Sequence, residues 1–253
     1  MPEPPELPPI AQAPLSVLLP AYQEQAHVEE TLNGWLTYLN RLERDYEIVL
    51  VDDGSSDATA ALAESLAAGQ PRLRVFRHPL PRGFGACLRT GLEAAQHPLV
   101  FYTTCDLQYQ PSDLQRLLEL IDQVDLVSGY RTAGRAPGKQ RWQARCYRWL
   151  VRLFFGVRLR DVDCAFKLFR RTLFGRVPIQ SDGAFVHAEI VAKANFLGCY
   201  MNEVAVGYRP RQRPVPWEED PCGRQTLREA YRVFSHPDFG PVVVPLEVDQ
   251  SPR

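Results

Sequence analysis

The sequence predicts an α/β protein: a single domain built on a mainly parallel sheet flanked by helices. Three observations predict it. From Leu15 onward, short apolar runs alternate with longer stretches of helical spacing, which is the pattern of βαβ units. Two of these runs, Glu47 to Val51 and Leu99 to Tyr102, end in turns rich in oxygen-bearing side chains. No internal repeat breaks the alternation.

Leu15–Pro20 is a short apolar run and reads as the first strand. Glu24–Arg44 carries Val28, Leu32, Trp35, Leu36 and Leu39 at helical spacing. Tyr46–Val51 reads as a strand, Ser56–Ala68 as a helix, Leu73–Arg77 as a strand and Gly83–Gln96 as a helix. Leu99–Thr104 is the next strand. Pro111–Asp122 is a helix opened by Pro111 and Asp113, both good first-turn residues. Asp125–Gly129 is a further strand. The second half is less regular: helix Trp142–Phe155, strand Cys164–Phe169, helix Ala184–Leu197, strand Tyr200–Tyr208 and a last helix, Arg224–Ser235. Residues 1–14 hold six prolines and read as a flexible tail. Residues 15–213 form the domain, and 214–253 a proline-rich extension carrying the last helix.

With 253 residues, 45% apolar and 23% charged, the chain can bury a core. A formal charge of −1 argues against bulk nucleic-acid binding. The six cysteines show no CxxC pair and no histidine at zinc-finger spacing, so they read as free thiols of a reducing compartment. There is no basic-then-apolar leader, and no run approaches the roughly 20 apolar residues that span a bilayer. The expectation is a cytoplasmic protein, in solution or peripheral on the cytoplasmic membrane face.

Asp52-Asp53-Gly54-Ser55-Ser56-Asp57 follows a strand and opens a helix. Its oxygens either cap that helix or, with Asp53, accept hydrogen bonds from a nucleobase or ribose. Asp106 and Gln108 lie two apart, so on an extended segment both face one side. A carboxylate and an amide oxygen suit Mg²⁺ or Mn²⁺ carried by substrate phosphates; the bland alternative is a turn ahead of Pro111. Gly83-Phe84-Gly85 lacks the third glycine of a dinucleotide fingerprint, so close packing or a tight turn explains it better. From Arg131 to Arg160 there are nine Lys/Arg and no Asp/Glu, with Arg141, Arg145, Arg148 and Arg152 on one helical face. Beside Trp142 and Trp149 this reads as a membrane-interface or phosphate-binding element, or as a solvated basic face. Lys167, Arg170 and Arg171 either neutralise a diphosphate or form surface ion pairs. His187 reads as a packed or surface histidine. Tyr208-Arg209-Pro210-Arg211 ends the last strand with fixed positive charge.

Together these segments resemble family 2 glycosyltransferases of the Rossmann-like GT-A fold, nearest to polyprenol-phosphate sugar synthases. The resemblance rests on Leu-Leu-Pro-Ala-Tyr-Gln-Glu, Val-Asp-Asp-Gly-Ser-Ser-Asp, Cys-Asp-Leu-Gln-Tyr-Gln-Pro, Ser-Gly-Tyr-Arg, Asp-Cys-Ala-Phe-Lys-Leu-Phe-Arg and Tyr-Arg-Pro-Arg, from Leu15 to Arg211. It implies that Pro20, Tyr22, Glu24, Val51 and Asp53 hold the nucleoside of a sugar nucleotide. It implies that Asp106 and Gln108, with Cys105 beside them, take the metal and diphosphate, and that Arg131 and Arg211 contact phosphates. Three departures stand out. Thr104-Cys105-Asp106 replaces the usual Asp-x-Asp, Pro214 and Trp217 replace a glycine and lysine, and Asp163-Cys164-Ala165 replaces Thr-Ser-Gly.

The resemblance implies an inverting transferase that moves a sugar from a GDP- or UDP-sugar, with Mg²⁺ or Mn²⁺, to a polyprenyl phosphate. That acceptor is already anionic and needs no general base. A hydroxyl acceptor needs one, and Asp161, Asp182 and Glu189 are the candidates. The rival reading is a non-catalytic sugar-nucleotide or lipid-phosphate binding protein.

Overall fold

The structure, a computed structural model, describes residues 9–132, 155–210 and 224–240. The expected basic helix 142–155 lies outside these residues except for Phe155. So do Arg211, Pro214 and Trp217.

The elements run β1 (Leu15–Ala21), α1 (Val28–Leu39), β2 (Tyr46–Asp52), α2 (Thr59–Ala67), β3 (Leu73–Arg77), α3 (Phe84–Ala94), β4 (Leu99–Tyr102) and α4 (Leu114–Leu118). They continue through β5 (Leu126–Arg131), β6 (Lys167–Arg170), α5 (Val186–Phe196), β7 (Met201–Val206) and α6 (Arg224–Ser235). The seven strands form one sheet in the order β3-β2-β1-β4-β6-β5-β7. Only β6 runs against its neighbours, β4 and β5. The other pairings are parallel, so the expected α/β class and mainly parallel sheet are what the chain forms. β1, β2 and β4 are buried along their whole length, which is why they read as continuous apolar runs rather than alternating ones.

Helix boundaries differ from the sequence reading where the backbone turns. α1 starts at Val28, not Glu24, because Gln23 takes φ +54° and the Glu24 carbonyl accepts from both His27 and Val28 N–H in a turn. It ends at Leu39 rather than Arg44, ahead of a second left-handed residue, Glu43 at φ +48°. The predicted helix Pro111–Asp122 is a short α4 between 3₁₀ turns at Pro111–Asp113 and Ile121–Gln123. Buried Leu118 and Ile121 lie three apart, the spacing that a 3₁₀ turn aligns. Cys164 precedes its expected strand, which begins at Lys167. Within the proline-rich segment 1–14, Ile10 and Ala11 N–H donate to Asp122 Oδ1, at 2.5 and 2.7 Å. These residues are therefore held against the domain.

One consequence positions everything that follows. β2 and β4 flank β1, so the residues after their carboxyl ends sit about 10 Å apart, two strand spacings, across the point where the strand order reverses. β6 is antiparallel to both β4 and β5, so β5 ends, and β6 begins, at this same sheet edge.

Candidate active site at the carboxyl edge of the sheet

The β1–α1 and β2–α2 turns are sewn together. Gln23 N–H donates to Ser55 Oγ at 2.9 Å and Glu24 N–H to Thr59 Oγ1 at 2.7 Å. Asp57 Oδ1 accepts from Thr59 N–H at 3.0 Å, an Asx-type turn that leads into α2 while the N-cap position itself, Ala58, has no side-chain cap. Pro20 and Val51 are register partners in the sheet and both are buried. Glu24 is buried and pairs with His27 Nδ1 at 3.0 Å. Tyr22 stands half-buried at the rim.

Asp53 is almost fully buried and already multiply engaged. Its Oδ1 accepts from His78 Nδ1 at 2.8 Å and Arg82 N–H at 2.9 Å, and its Oδ2 from Gly83 N–H at 2.7 Å. The carboxylate that the sequence offers to a nucleoside thus also fixes the turn into α3. Gly83 adopts φ +102°, and a Cβ there would run into the Asp182 carbonyl oxygen. Gly85 N–H donates to that same oxygen at 2.7 Å, and a Cβ on Gly85 would strike the Ser181 carbonyl. The Gly-Phe-Gly motif is a close-packing device, as its sequence suggested. Asp53→Asn is expected to cost about 2 kcal/mol, because one acceptor oxygen becomes a donor facing donors; urea denaturation checks it.

At the end of β4 the chain delivers Asp106 and Gln108, both nearly buried. Thr104 Oγ1 donates to Asp106 Oδ1 at 2.6 Å and Gln108 N–H donates to the same oxygen at 3.1 Å. Leu107 between them takes φ +61°. Thr104, which replaces an acid of the resembled motif, is therefore an orienting donor for the acid that remains. Cys105 is buried beside them. Arg209 N–H donates to the Gln108 carbonyl at 2.9 Å, and Tyr109 packs on Tyr208 with ring centroids 5.4 Å apart.

Tyr208 leads to the next charged group. The Arg131 guanidinium lies 5.2 Å from the Tyr208 ring centroid and is gripped by Asp161, Nε to Oδ2 at 2.6 Å and Nη2 to Oδ1 at 2.8 Å. Burial alone would raise the Asp161 carboxyl, but the hydrogen bonds and charge of Arg131 hold it below its usual value. A carboxylate so stabilised is a poor proton acceptor. Asp161 orients Arg131 and does not serve as the expected base.

Four more expected residues have structural partners. Lys167 is fully buried, and its ammonium donates to the carbonyls of Val162, at 3.0 Å, and Cys164; it ties the 161–166 turn and does not face a diphosphate. Glu189 is fully buried and accepts from Gln180 N–H at 2.7 Å, Ser181 N–H at 2.8 Å and Lys193 Nζ at 2.8 Å. No acceptor hydroxyl reaches it. Asp182, half-exposed, forms an ion pair with Arg89. Arg170 is buried and caps the Ile121 and Val124 carbonyls, so it too is structural.

His187 is packed, as expected, and its Nδ1 meets the Tyr102 hydroxyl at 2.9 Å. Burial pushes its pKa well down, helped by the charges of Lys167 and Arg131. The unfolded chain therefore takes up a proton near pH 6.5 that the folded one refuses. Stability is complete above that pH and falls below it, by about 1.4 kcal/mol per pH unit. His187→Gln is expected to flatten this slope in melts between pH 5 and 6.5.

Sequence reasoning missed His78, Thr104, Tyr208 and Glu229 as partners of the site. A lone histidine, threonine or tyrosine carries no spacing signal, and Glu229 lies 46 residues from the Gly183 N–H that it accepts from at 3.0 Å.

The family model for glycosyl transferase family 2 matches residues 16–182, which spans every element from β1 to β6. The chain belongs to glycosyl transferase family 2. Among curated family relatives, glycosyltransferase AglD of Haloferax volcanii is 31% identical over 217 residues, covering 81% of this chain and 33% of that protein. An undecaprenyl-phosphate 4-deoxy-4-formamido-L-arabinose transferase of Pseudomonas paraeruginosa is 34% identical over 162 residues, covering 63% of this chain and 48% of that protein. The chain thus spans a third to a half of the length of these relatives. Among solved structures, glucosyl-3-phosphoglycerate synthase of Mycobacterium tuberculosis, in complex with Mn²⁺, UDP-glucose and phosphoglyceric acid, superposes with a TM-score of 0.71. It is 23% identical and covers 90% of this chain and 82% of its own. At that identity the likeness establishes the fold, which is GT-A.

Proposed function

We propose that this family 2 chain transfers a sugar from a nucleotide-diphosphate sugar to a polyprenyl phosphate, with inversion at the anomeric carbon. The observation that carries the reading is the continuous set of contacts Asp106–Gln108–Arg209 and Tyr109–Tyr208–Arg131–Asp161. An oriented carboxylate beyond β4, beside the strand-order reversal, and an oriented guanidinium two strands along the same sheet edge support this reading. Relatives named for undecaprenyl-phosphate transfer support the acceptor class.

The residues fit a divalent cation that arrives with phosphates. Asp106 offers one carboxylate and Gln108 a nearly buried amide, an all-oxygen set of the kind Mg²⁺ and Mn²⁺ accept when phosphates complete the shell. Among the described residues, only Asp53, His78 and Cys87 bring three ligand-type groups within 4.8 Å of one another. Burial pushes the Cys87 thiol far up, so its sulfur stays a neutral thiol, and Asp53 is already engaged by His78 and two backbone N–H groups; the cluster does not suit a hard cation. The cation, when bound, would neutralise charge growing on the leaving diphosphate.

The chain's own groups do the rest. Asp106 is oriented by Thr104 and the Gln108 N–H, which would hold its carboxylate ready for a cation borne by the diphosphate. Arg131 is preoriented by Asp161 and Tyr208, so it meets the developing phosphate charge without reorganising. The acceptor phosphate is its own nucleophile. Asp161 and Glu189, two of the candidate bases, are engaged in internal pairs, and this favours a phosphate over a hydroxyl acceptor. Tyr22, Glu24, Pro20, Val51 and Asp53 line the turns that would hold the nucleoside.

Labelled UDP- and GDP-sugars, incubated with the protein, Mn²⁺ and polyprenyl phosphate, test the proposal. Labelled product is expected in the organic phase and is lost in chelator. Aqueous product would transfer the reading to a hydroxyl acceptor, and nucleotide binding without turnover would replace it with a binding protein.

A further inference from the structure

α6 (Arg224–Ser235) is amphipathic in an unusual sense. Its inner face, Thr226, Glu229, Ala230 and Val233, packs on the domain. Its outer face exposes Leu227 by 51%, Tyr231 by 73% and Phe234 by 53%, with Phe234 set edge-on against Phe155 at 6.0 Å between ring centroids. These three are spaced four and three residues apart, so they form one stripe along the helix. Arg228 and Arg232 each follow a residue of that stripe and are exposed beside it. Arg232 spends one Nη on the Gln180 carbonyl at 2.6 Å, which holds it at the surface.

The charge on this helix is sorted. Its single acid, Glu229, turns inward and accepts from Gly183 N–H at 3.0 Å and Asp182 N–H at 3.3 Å. The outer face therefore presents apolar bulk and positive charge with no carboxylate among α6 residues. Four residues beyond the helix, Phe239 stacks on Phe196, which is 76% exposed, with centroids 5.0 Å apart. Exposed aromatics of this size carry a large desolvation gain.

We infer that α6 docks in the plane of an anionic lipid surface, with Leu227, Tyr231 and Phe234 in the headgroup boundary and Arg228 and Arg232 on lipid phosphates. Charge complementarity selects this occupant. A protein groove that covers a bare apolar stripe does not need arginines along one side, whereas a negatively charged headgroup layer does. Glu229 gives the docking a link to the site. It holds the Asp182–Gly183 turn, whose Asp182 carbonyl receives the N–H of Gly85 at the start of α3, one turn from Asp53. The inference stands on this helix and not on the identity of the acceptor.

Flotation of the full chain with vesicles of phosphatidylcholine, alone or mixed with phosphatidylglycerol, tests it. The vesicles contain neither sugar nucleotide nor polyprenyl phosphate, so the outcome is separate from transfer. The protein is expected to float with the anionic vesicles, and less so as salt is raised. The Leu227→Ser/Tyr231→Ser variant is expected to lose about tenfold or more in partitioning. Arg228→Glu is expected to lose about tenfold on anionic vesicles only. Both variants change exposed side chains, and unchanged thermal melts verify their fold. Wild-type protein that stays at the bottom of the gradient overturns the inference. So does a double variant that floats equally well, or a wild-type dimer that the double variant dissolves.

Discussion

Asp106→Asn is expected to lower sugar transfer about 10²- to 10³-fold while leaving the fold intact. The side chain keeps its size, and Asn still offers an oxygen to Thr104 Oγ1 and Gln108 N–H, its partners at 2.6 and 3.1 Å. What disappears is the one negative charge that the β4 end contributes. In a chain where Thr104 stands at the first acidic position of the resembled motif, no neighbouring carboxylate of that turn compensates. Thr104→Val removes only the orienting hydroxyl and is expected to cost about tenfold. Steady-state transfer assays order the three proteins, and thermal melts verify that all are folded. An Asp106→Asn variant that retains most of its turnover would remove this residue from the chemistry.

Glu189→Gln is expected to cost about 3 kcal/mol of stability and to leave the chemistry of the folded fraction unchanged. Glu189 and Lys193 form a fully buried ion pair at 2.8 Å, one turn apart on α5. Removing one charge leaves the other buried without its partner, the costly case for such pairs. Glutamine keeps one acceptor oxygen for one of the Gln180 and Ser181 N–H groups, while its amide NH2 faces the other, which adds to the loss. Adding Lys193→Met removes the orphaned ammonium and is expected to recover much of the loss. Urea denaturation of the single and double variants measures both steps. The contrast with Asp106 is the point: the first substitution removes activity without stability, the second stability without activity. Turnover per folded molecule that falls a hundredfold in Glu189→Gln would restore Glu189 as a base.

The two predictions diverge because the sequence displays residue types but not what surrounds them. Asp106, Asp161, Asp182 and Glu189 are all carboxylates near the ends of recognisable elements. Tertiary packing sorts them. Glu189 faces a lysine one turn on and two backbone N–H groups from a distant turn. Asp161 meets Arg131 across 30 residues of chain. Lys167 has the composition of a phosphate ligand and the position of a core residue, with its ammonium spent on carbonyls of its own turn. Only Glu189 with Lys193 has a helical i,i+4 spacing; its burial and the other pairings do not follow from spacing.

What the chain's residue pattern determined on its own is the part governed by local periodicity. Apolar runs too short for helices, alternating with helical spacing, dictated the α/β class and the strand–turn–helix order. Acidic turns after two such runs marked the sheet edge proposed for the chemistry, since parallel strands place their carboxyl ends together. What only the tertiary structure decided is partnership: β6 antiparallel between β4 and β5, the union of Arg131 with Tyr208 and Asp161, the burial of Lys167 and Glu189, and the outward stripe of α6. The physical reason is that hydrogen bonds and ion pairs between residues 30 to 90 positions apart depend on the folded path of the chain, while periodicity reports only on neighbours within a turn or a strand.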